Sequence, residues 1–336
     1  MSPAAVILGL SGPKVTPQER AFFRDLDPWA FILFARNVES PEQLRRLTSE
    51  LRESVGRDAL VFVDQEGGRV QRLRAPHWRP YPTGAAYAGV HDADPAKGRR
   101  AIYLGHRLIA DDLRAVGITA DCAPVLDLPQ DGADPIISDR AFGSTVEQIV
   151  DLAHAAMSGL MSGGVAPVVK HIPGHGRATV DSHKALPQID TSLADMDVTD
   201  FLPFRKLADA PMAMTAHAVV SDVDAEPVTL SRKAIVEIIR ARIGFDGLLM
   251  SDDLDMKALK GNDLAAKTEA ALAAGCDIAL QCSGKMADMV RVAAGAQALV
   301  GRALERARVA EFCGTHAAPF DRAAAEAEFD ALMGMA

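Results

Sequence analysis

The chain has 336 residues and a formal net charge of −9, with 49% hydrophobic and 24% charged residues. This composition is typical of a folded globular protein and excludes global disorder. At this length a chain buries about three quarters of the surface that its unfolded form exposes, so it needs no disulfide to fold. There is no run of lysine or arginine that could follow a phosphate backbone, and we therefore expect no nucleic-acid partner.

The first residues and the cysteines indicate the compartment. The opening segment MSPAAVILGLSGPKV lacks a basic start, and its apolar run is too short for a signal sequence or a membrane span. The four cysteines form no CxxC pair and are too few to crosslink a chain of this size. We expect a cytoplasmic protein with reduced thiols and no membrane partner. Since no exposed apolar stripe is evident, we also expect a monomer.

Eight short apolar segments alternate with helical patterns along the chain. They lie near residues 4–10, 30–35, 59–64, 118–127, 165–170, 210–216, 247–252 and 277–282. Near-continuous apolar runs are typical of parallel strands that are buried on both faces. Eight strand–helix units predict an α/β fold, a single (β/α)8 TIM barrel over residues 1–336, with helices from about 300 packed on it. An open doubly wound sheet is the alternative, although no GxGxxG motif follows an early strand.

Helix boundaries can be read at two places, and one long segment has none. Ser40 is predicted to cap a helix that Gly56 ends, and Ser231 to cap another that Gly244 ends. The segment 65–97 contains two adjacent glycines, several prolines and no clear helical pattern. It is too long for a plain connection, so we expect it to fold over the mouth of the barrel.

Polar residues recur where the apolar segments stop, and the carboxyl ends of the strands build the active site of a TIM barrel. They are Asp64, the following run Gln65-Glu66-Gly67-Gly68-Arg69, Arg72, Asp127, Lys170, His171, His217, Asp252 and Asp253. We interpret Asp127 as a helix N-cap. Because adjacent strand residues face opposite ways, we expect one of Asp252 and Asp253 to face the barrel axis and the other to cap the next helix.

The segment KHIPGHG at residues 170–176 is the most informative one. Lys170 and His171 leave a buried strand on opposite faces, so one of them can point inward. Pro173 and two glycines then turn the chain and allow its backbone to approach a ligand closely. Asp181 lies two residues before His183, where a carboxylate can accept the Nδ1 proton of an imidazole and raise its basicity. An Asx-turn with an exposed histidine is the alternative.

Six motifs occur in a characteristic order along the chain: VDQEGGRVQRL, SDRAFG, KHIPGHG, DSH, SDDLDM and AGCDIAL. With them the chain resembles the family 3 glycoside hydrolases, and within these the single-domain bacterial β-N-acetylglucosaminidases of peptidoglycan recycling. The resemblance covers most of the chain. It implies a retaining, exo-acting enzyme that removes terminal N-acetylglucosamine from muropeptide fragments, with a saccharide as its partner and no cofactor.

The resemblance also implies roles for individual residues. Asp252 would be the nucleophile and His183 the general acid/base, with Asp181 orienting His183. The sugar-binding positions that it implies are Asp64, Arg72, Arg140, Lys170 and His171. No residue is assigned to a metal. The chain departs from the pattern at Ile172, where phenylalanine is frequent, and at Asp255, where serine is usual and a carboxylate adds negative charge beside the nucleophile.

The residue types fit this chemistry independently. A retaining glycosidase needs a carboxylate that attacks the anomeric carbon and an acid that protonates the leaving oxygen. No second carboxylate stands out, and the imidazole of His183 titrates near neutrality, so it can donate a proton and later accept one. Lys170 and Arg140 can donate to sugar hydroxyls, and Asp64 can accept from them. The 5% aromatic content favours a small terminal sugar over a polysaccharide groove.

Four other interpretations stay open from the residues alone. The residues that could bind zinc in a metal-dependent barrel hydrolase are His171, His175, His183 and Asp252. Lys170 could form a Schiff base, as in an aldolase-like barrel. The same barrel could bind a sugar without turnover, or transfer it to phosphate instead of water.

Overall fold

The computed structural model describes residues 2–132, 134, 136–182, 185–261 and 263–335. Eight parallel strands close into a barrel. They are β1 (Ala4–Leu8), β2 (Pro28–Leu33), β3 (Leu60–Val63), β4 (Ala120–Asp121), β5 (Ala166–Ile172), β6 (Met212–Thr215), β7 (Leu248–Asp253) and β8 (Ile278–Gln281). Each strand pairs with the next along the chain, and β8 pairs with β1. The predicted (β/α)8 barrel is confirmed.

Helices surround the barrel and connect its strands. They are α1 (Pro17–Leu26), α2 (Pro41–Val55), α3 (Gly84–Ala93), α4 (Pro95–Arg114), α5 (Val146–Ser162), α6 (Leu193–Val198), α7 (Phe201–Lys206), α8 (Arg232–Ala234), α9 (Leu264–Ala274), α10 (Met286–Ala294), α11 (Gly301–Cys313) and α12 (Arg322–Met333). The segment Ile235–Ile243 continues α8 as a π-helix. None of the helices in the described part of the chain has both the length and the apolar character that crossing a membrane requires.

Both predicted pairs of helix boundaries are confirmed. The Ser40 side chain accepts a hydrogen bond from the backbone N–H of Gln43, and Gly56 ends α2 in the left-handed conformation. Ser231 caps α8, and the π-helical continuation ends at Gly244, which has a φ of 78°. Caps of this kind satisfy backbone groups that have no partner inside the helix.

The buried apolar residues form two layers. One layer fills the barrel interior and includes Ile7, Phe62 and Met250, and the other lies between the strands and the helices. Ala307 of α11 packs on the interior layer. Successive side chains of a strand point to opposite faces, and both faces of these strands are covered, so each strand contributes residues to both layers.

The structure differs from the expectation in two connections. The segment 65–97 contains a hairpin, Gln65–Gly67 with Val70–Gln71, and the whole of α3, so the expected absence of helix is wrong. α3 is rich in alanine and glycine and therefore lacks an apolar stripe, but the Thr83 side chain caps it. β4 is shorter than its apolar run because Pro124 has no N–H for the ladder, and pairing resumes only at an isolated bridge between Val125 and Lys170.

Candidate active site

A cavity of about 240 Å³ opens at the carboxyl ends of the strands. The predicted site residues that line it are Asp64, Arg72, Arg140, Lys170, His171 and Asp252. Ile32, Met214 and Leu280 from the barrel interior form part of its apolar wall. The structure therefore brings together residues that are separated by up to 188 positions in the sequence, because each follows a strand of the same barrel.

Alternating charges form a continuous chain along one wall of this cavity. Arg72 donates to Asp64 at 2.9 Å, and Asp64 also accepts from Lys170 Nζ at 3.0 Å. The same Nζ lies 2.6 Å from Glu66, which accepts two hydrogen bonds of 2.8 Å from Arg140. A bidentate arginine–carboxylate pair is both strong and geometrically specific. Three cations and two carboxylates are thus held in fixed positions, as specific recognition of a polar ligand requires.

Asp64, Glu66 and Lys170 stay charged at neutral pH. Burial raises the pKa of Asp64, but Lys170 and Arg72 outweigh it and hold that pKa well below its usual range. Burial likewise opposes ionisation of Glu66, yet Arg140 and Lys170 lower its pKa to about 2. Burial lowers the pKa of Lys170, but the two carboxylates raise it above its usual value. A lysine held as an ammonium is a poor nucleophile, which disfavours the Schiff-base interpretation.

Glu66 belongs to the wall of the site, but it is not among the residues to which the sequence analysis gave a role. It lies in the hairpin that follows β3, and it is 8% exposed. Its partners Lys170 and Arg140 are distant in sequence. The sequence signal that could have identified Glu66 is its position just after the end of β3, two residues from Asp64.

Asp127 is not a helix N-cap, as the sequence analysis expected. It is fully buried, and its carboxylate accepts hydrogen bonds from His171 Nδ1 at 2.7 Å, from His171 N at 3.2 Å and from His175 N at 2.7 Å. Burial raises the pKa of Asp127, but His171 outweighs this and lowers it. With Nδ1 as the donor to Asp127, the other ring nitrogen of His171 is left for a ligand in the cavity.

Lys170 and His171 both line the cavity, although neighbours on a regular strand face opposite ways. The pairing of β5 with β6 shifts register between Lys170 and Ile172, and such an irregularity re-aims side chains. Further along, Gly176 lies so close to the carbonyl of Leu128 that a Cβ there would clash with it. The glycine therefore permits close contact with protein backbone, whereas the sequence analysis expected contact with a ligand.

Asp252 and Asp253 end β7 and both line the cavity. Burial raises the pKa of Asp252, but the neighbouring His217 and His171 lower it below its usual value, so its carboxylate is ionised. Asp253 does not cap the next helix, since Asp263 caps α9. Its carboxylate instead accepts from Cys282 N at 3.0 Å. Burial and the charge of Asp252 raise the pKa of Asp253 to about 7, against the effect of that hydrogen bond.

His217 supports the end of β7 from the neighbouring strand. Its Nε2 lies 2.9 Å from the backbone oxygen of Asp253 and therefore donates to it, while Nδ1 lies 2.7 Å from the hydroxyl of Thr229. Burial lowers the pKa of His217, while the charge of Asp252 raises it. The sequence analysis noted its position after β6 but gave it no role. It holds the backbone beside Asp252, a contact that residue type alone does not reveal.

The loop after β5 carries Asp181 and His183. His183 lies outside the described residues. Its neighbour Ser182 is buried and lines the same cavity as Asp252, and the backbone oxygen of Ser182 accepts from Ala258 N at 3.2 Å. The loop is therefore attached to the segment that follows β7. Asp181 is not among the residues that line the cavity in the described structure.

His175 also lines the cavity and is 5% exposed. Neither of its ring nitrogens has a hydrogen-bond partner among the described residues. Burial lowers its pKa to about 4, so it is neutral at pH 7. Within the described ranges, no group of three or more His, Cys, Asp or Glu residues is arranged to hold a metal ion, and His183 of the zinc alternative lies outside those ranges.

Comparisons with known proteins agree with this architecture. The family described as glycosyl hydrolase family 3 N terminal domain matches residues 12–313. The β-hexosaminidase of Alkalilimnicola ehrlichii is 40% identical over 281 residues, which are 83% of this chain and 80% of that protein. The crystal structure of native NagZ from Neisseria gonorrhoeae has a TM-score of 0.87 at 30% identity and covers 100% of this chain and 97% of its own.

A second crystal structure holds a sugar derivative. It is NagZ from Neisseria gonorrhoeae in complex with N-trifluoroacetyl-D-glucosamine, with a TM-score of 0.86 and 30% identity over 99% of this chain and 97% of that one. The family match spans nearly the whole barrel, and the charged cavity lies where this fold carries its chemistry. The chain belongs to glycoside hydrolase family 3.

Proposed function

We propose that the chain is a retaining, exo-acting β-N-acetylglucosaminidase that removes terminal N-acetylglucosamine from muropeptide fragments. The observation that carries the proposal is that the ionised carboxylate of Asp252 lines a cavity in which other charged side chains are held in place by ion pairs with one another. The name β-hexosaminidase of a 40% identical relative and the glucosamine derivative bound to NagZ support the choice of sugar.

Asp252 is the proposed nucleophile. An ionised carboxylate can attack the anomeric carbon and form a covalent glycosyl-enzyme, which water then hydrolyses with overall retention. The end of β7 is rigidly held, because His217 donates to the Asp253 backbone oxygen and Asp253 N donates to Asp252 Oδ1 at 2.7 Å. A nucleophile on a strand end supported in this way needs little reorganisation before attack.

His183 is the proposed general acid/base, oriented by Asp181. A histidine can protonate the leaving oxygen in the first step and deprotonate water in the second, because its pKa lies near neutrality. The position of Ser182 in the cavity wall supports this role, since the next residue in the chain is His183.

The sugar is proposed to bind along the chain of ion pairs and on His171. Hydrogen bonds from Lys170, Arg72 and Arg140, and acceptance by Asp64, would reject a sugar that lacks the matching hydroxyl. The cavity volume of about 240 Å³ is below the range of roughly 300–1,000 Å³ for drug-sized ligands, which supports a single terminal sugar.

The same proposal includes a place of action. Muropeptide fragments arise in peptidoglycan recycling, and a cytoplasmic, monomeric enzyme would act on them there. All four cysteines are free in the structure, which supports a reducing compartment. A sugar-binding barrel without turnover is the competing function, and only turnover distinguishes the two.

Hydrolysis of an aryl β-N-acetylglucosaminide by the full-length protein tests the proposal. We expect the wild type to release N-acetylglucosamine, with the β-anomer as the first product by NMR, and Asp252→Ala to be inactive. The matched control is Asp255→Ala, which removes a nearby exposed carboxylate and should keep activity. A fully active Asp252→Ala variant, or an α-anomeric first product, would contradict the proposal.

A further inference from the structure

A second cleft, of about 350 Å³, lies beside the catalytic cavity. It is formed by the segment that follows β7 together with residues of α9 and α10. Met256 lines both the cleft and the cavity, so the two spaces share a wall residue.

The cleft is strongly positive, although the whole chain has a net charge of −9. The charged residues that line it are Lys257, Lys260, Lys267, Arg291 and Asp255. Four cations face one carboxylate, and only Arg291 has a carboxylate partner among the described residues, Asp288 at 3.5 Å. Cationic side chains that line a concave surface without anionic partners raise the local concentration of anions there.

Lys267 gives the cleft a fixed cation. The residue is only 8% exposed, and its Nζ donates to the backbone oxygen of Leu254 at 3.2 Å. An ammonium has three donors. Asp255 and Asp253 act on this one electrostatically, but among the described residues neither forms an ion pair with it. A buried cation that lacks a carboxylate partner favours an incoming anion. Lys257 and Lys260 are exposed at the rim, where they can complete its coordination.

We propose that this cleft binds a carboxylate on the aglycone of the substrate, the part that leaves when the terminal sugar is cleaved. The inference rests on the proposed function and names the substrate class more closely. Peptide-bearing muropeptide fragments carry several free carboxylates beyond the terminal sugar, so they have the required charge. Asp255 lies in the same cleft and opposes the anion, so it moderates the preference instead of creating it.

A matched pair of substrates isolates this charge. One is a peptide-bearing muropeptide fragment with a terminal N-acetylglucosamine, and the other is the same fragment with its carboxylates converted to methyl esters. An aryl β-N-acetylglucosaminide serves as a neutral reference. The variants are Lys257→Gln/Lys260→Gln and Asp255→Ser, and the control is Lys206→Gln, an exposed lysine in the last turn of α7.

The wild type should prefer the free acid to the ester. In the double variant we expect kcat/KM for the free acid to fall by about five-fold, the size that two solvent-screened ion pairs give. Hydrolysis of the ester and of the aryl substrate should not change. Asp255→Ser should raise the preference for the free acid, and Lys206→Gln should leave it unaltered.

Two results would overturn the inference. One is equal hydrolysis of acid and ester by the wild type, and the other is a loss in the double variant that is the same for all three substrates. Failure of the wild type to hydrolyse the aryl substrate would instead reject the proposed function itself. The aryl reference thus separates the two failures.

Discussion

Asp127 offers the sharpest test of how the site is built. Its carboxylate accepts three hydrogen bonds, two of them from backbone N–H groups of His171 and His175 and one from the His171 ring. Asparagine has the same size but only one acceptor oxygen, so in Asp127→Asn an amide N–H must face one of these donors. The loss of one hydrogen bond to a charged group costs about 1.5–3 kcal/mol.

If this loss acts on the bound sugar through His171, kcat/KM should fall by roughly 10- to 150-fold, since 1.4 kcal/mol is a factor of ten. Asp277→Asn is the matched control. Asp277 also is buried and accepts from one backbone N–H and two arginines, but it precedes β8 at the opposite end of the barrel. Both variants should have a lower melting temperature, and only Asp127→Asn should hydrolyse an aryl β-N-acetylglucosaminide more slowly. Equal kinetics in the two variants would refute a positioning role for Asp127.

Three further predictions follow from the same contacts. Lys170→Met should lower the free energy of unfolding by roughly 3–5 kcal/mol in denaturant titrations, because it leaves Asp64 and Glu66 buried without their shared cation; an unchanged midpoint would contradict this. The pKa of Asp253 is raised from its ordinary value of 3.8 to about 7 in the folded protein. Its protonated carboxyl therefore contributes stability that is fully present below about pH 4 and is lost as the pH rises through about 7. Asp253→Asn should therefore gain stability relative to the wild type between pH 4 and pH 7, and a constant difference over that interval would refute the assignment. Prolonged treatment with EDTA should leave kcat/KM unchanged, since no group of three or more His, Cys, Asp or Glu residues in the described part of the chain is arranged to hold a metal ion; activity that disappears and returns with zinc would favour the metal alternative.

The barrel and most of its site could be predicted from the sequence. Apolar runs that are buried on both faces identify the strands, and polar residues at strand ends identify the cavity wall, because parallel strands in a closed barrel all end on the same side. This reasoning reached Asp64, Lys170 and Asp252, which line one cavity. The family resemblance added Arg140, which ends a 3₁₀ helix of three residues, too short to give a periodic signal.

The contacts that tune the site could not be predicted in this way. Asp127 pairs with a histidine 44 residues further along the chain, and a lone aspartate after a strand is equally suited to cap a helix. Lys170 and His171 share a cavity only because the register of β5 shifts, which depends on its neighbour β6. The Asp253 carboxylate accepts a hydrogen bond from the backbone N–H of Cys282, directly after the next strand, β8. Each of these depends on tertiary geometry that residue types do not encode locally.

The central claim of the account is that the carboxylate of Asp252 is the nucleophile that forms a bond to the sugar. The most direct measurement is the mass of the full-length protein after incubation with a fluorinated N-acetylglucosaminyl donor that slows breakdown of the glycosyl-enzyme. We predict one added sugar, mapped by peptide sequencing to Asp252, and no adduct in Asp252→Ala. A stable adduct on another residue, or rapid release of fluoride with no covalent species at any time, would contradict the account.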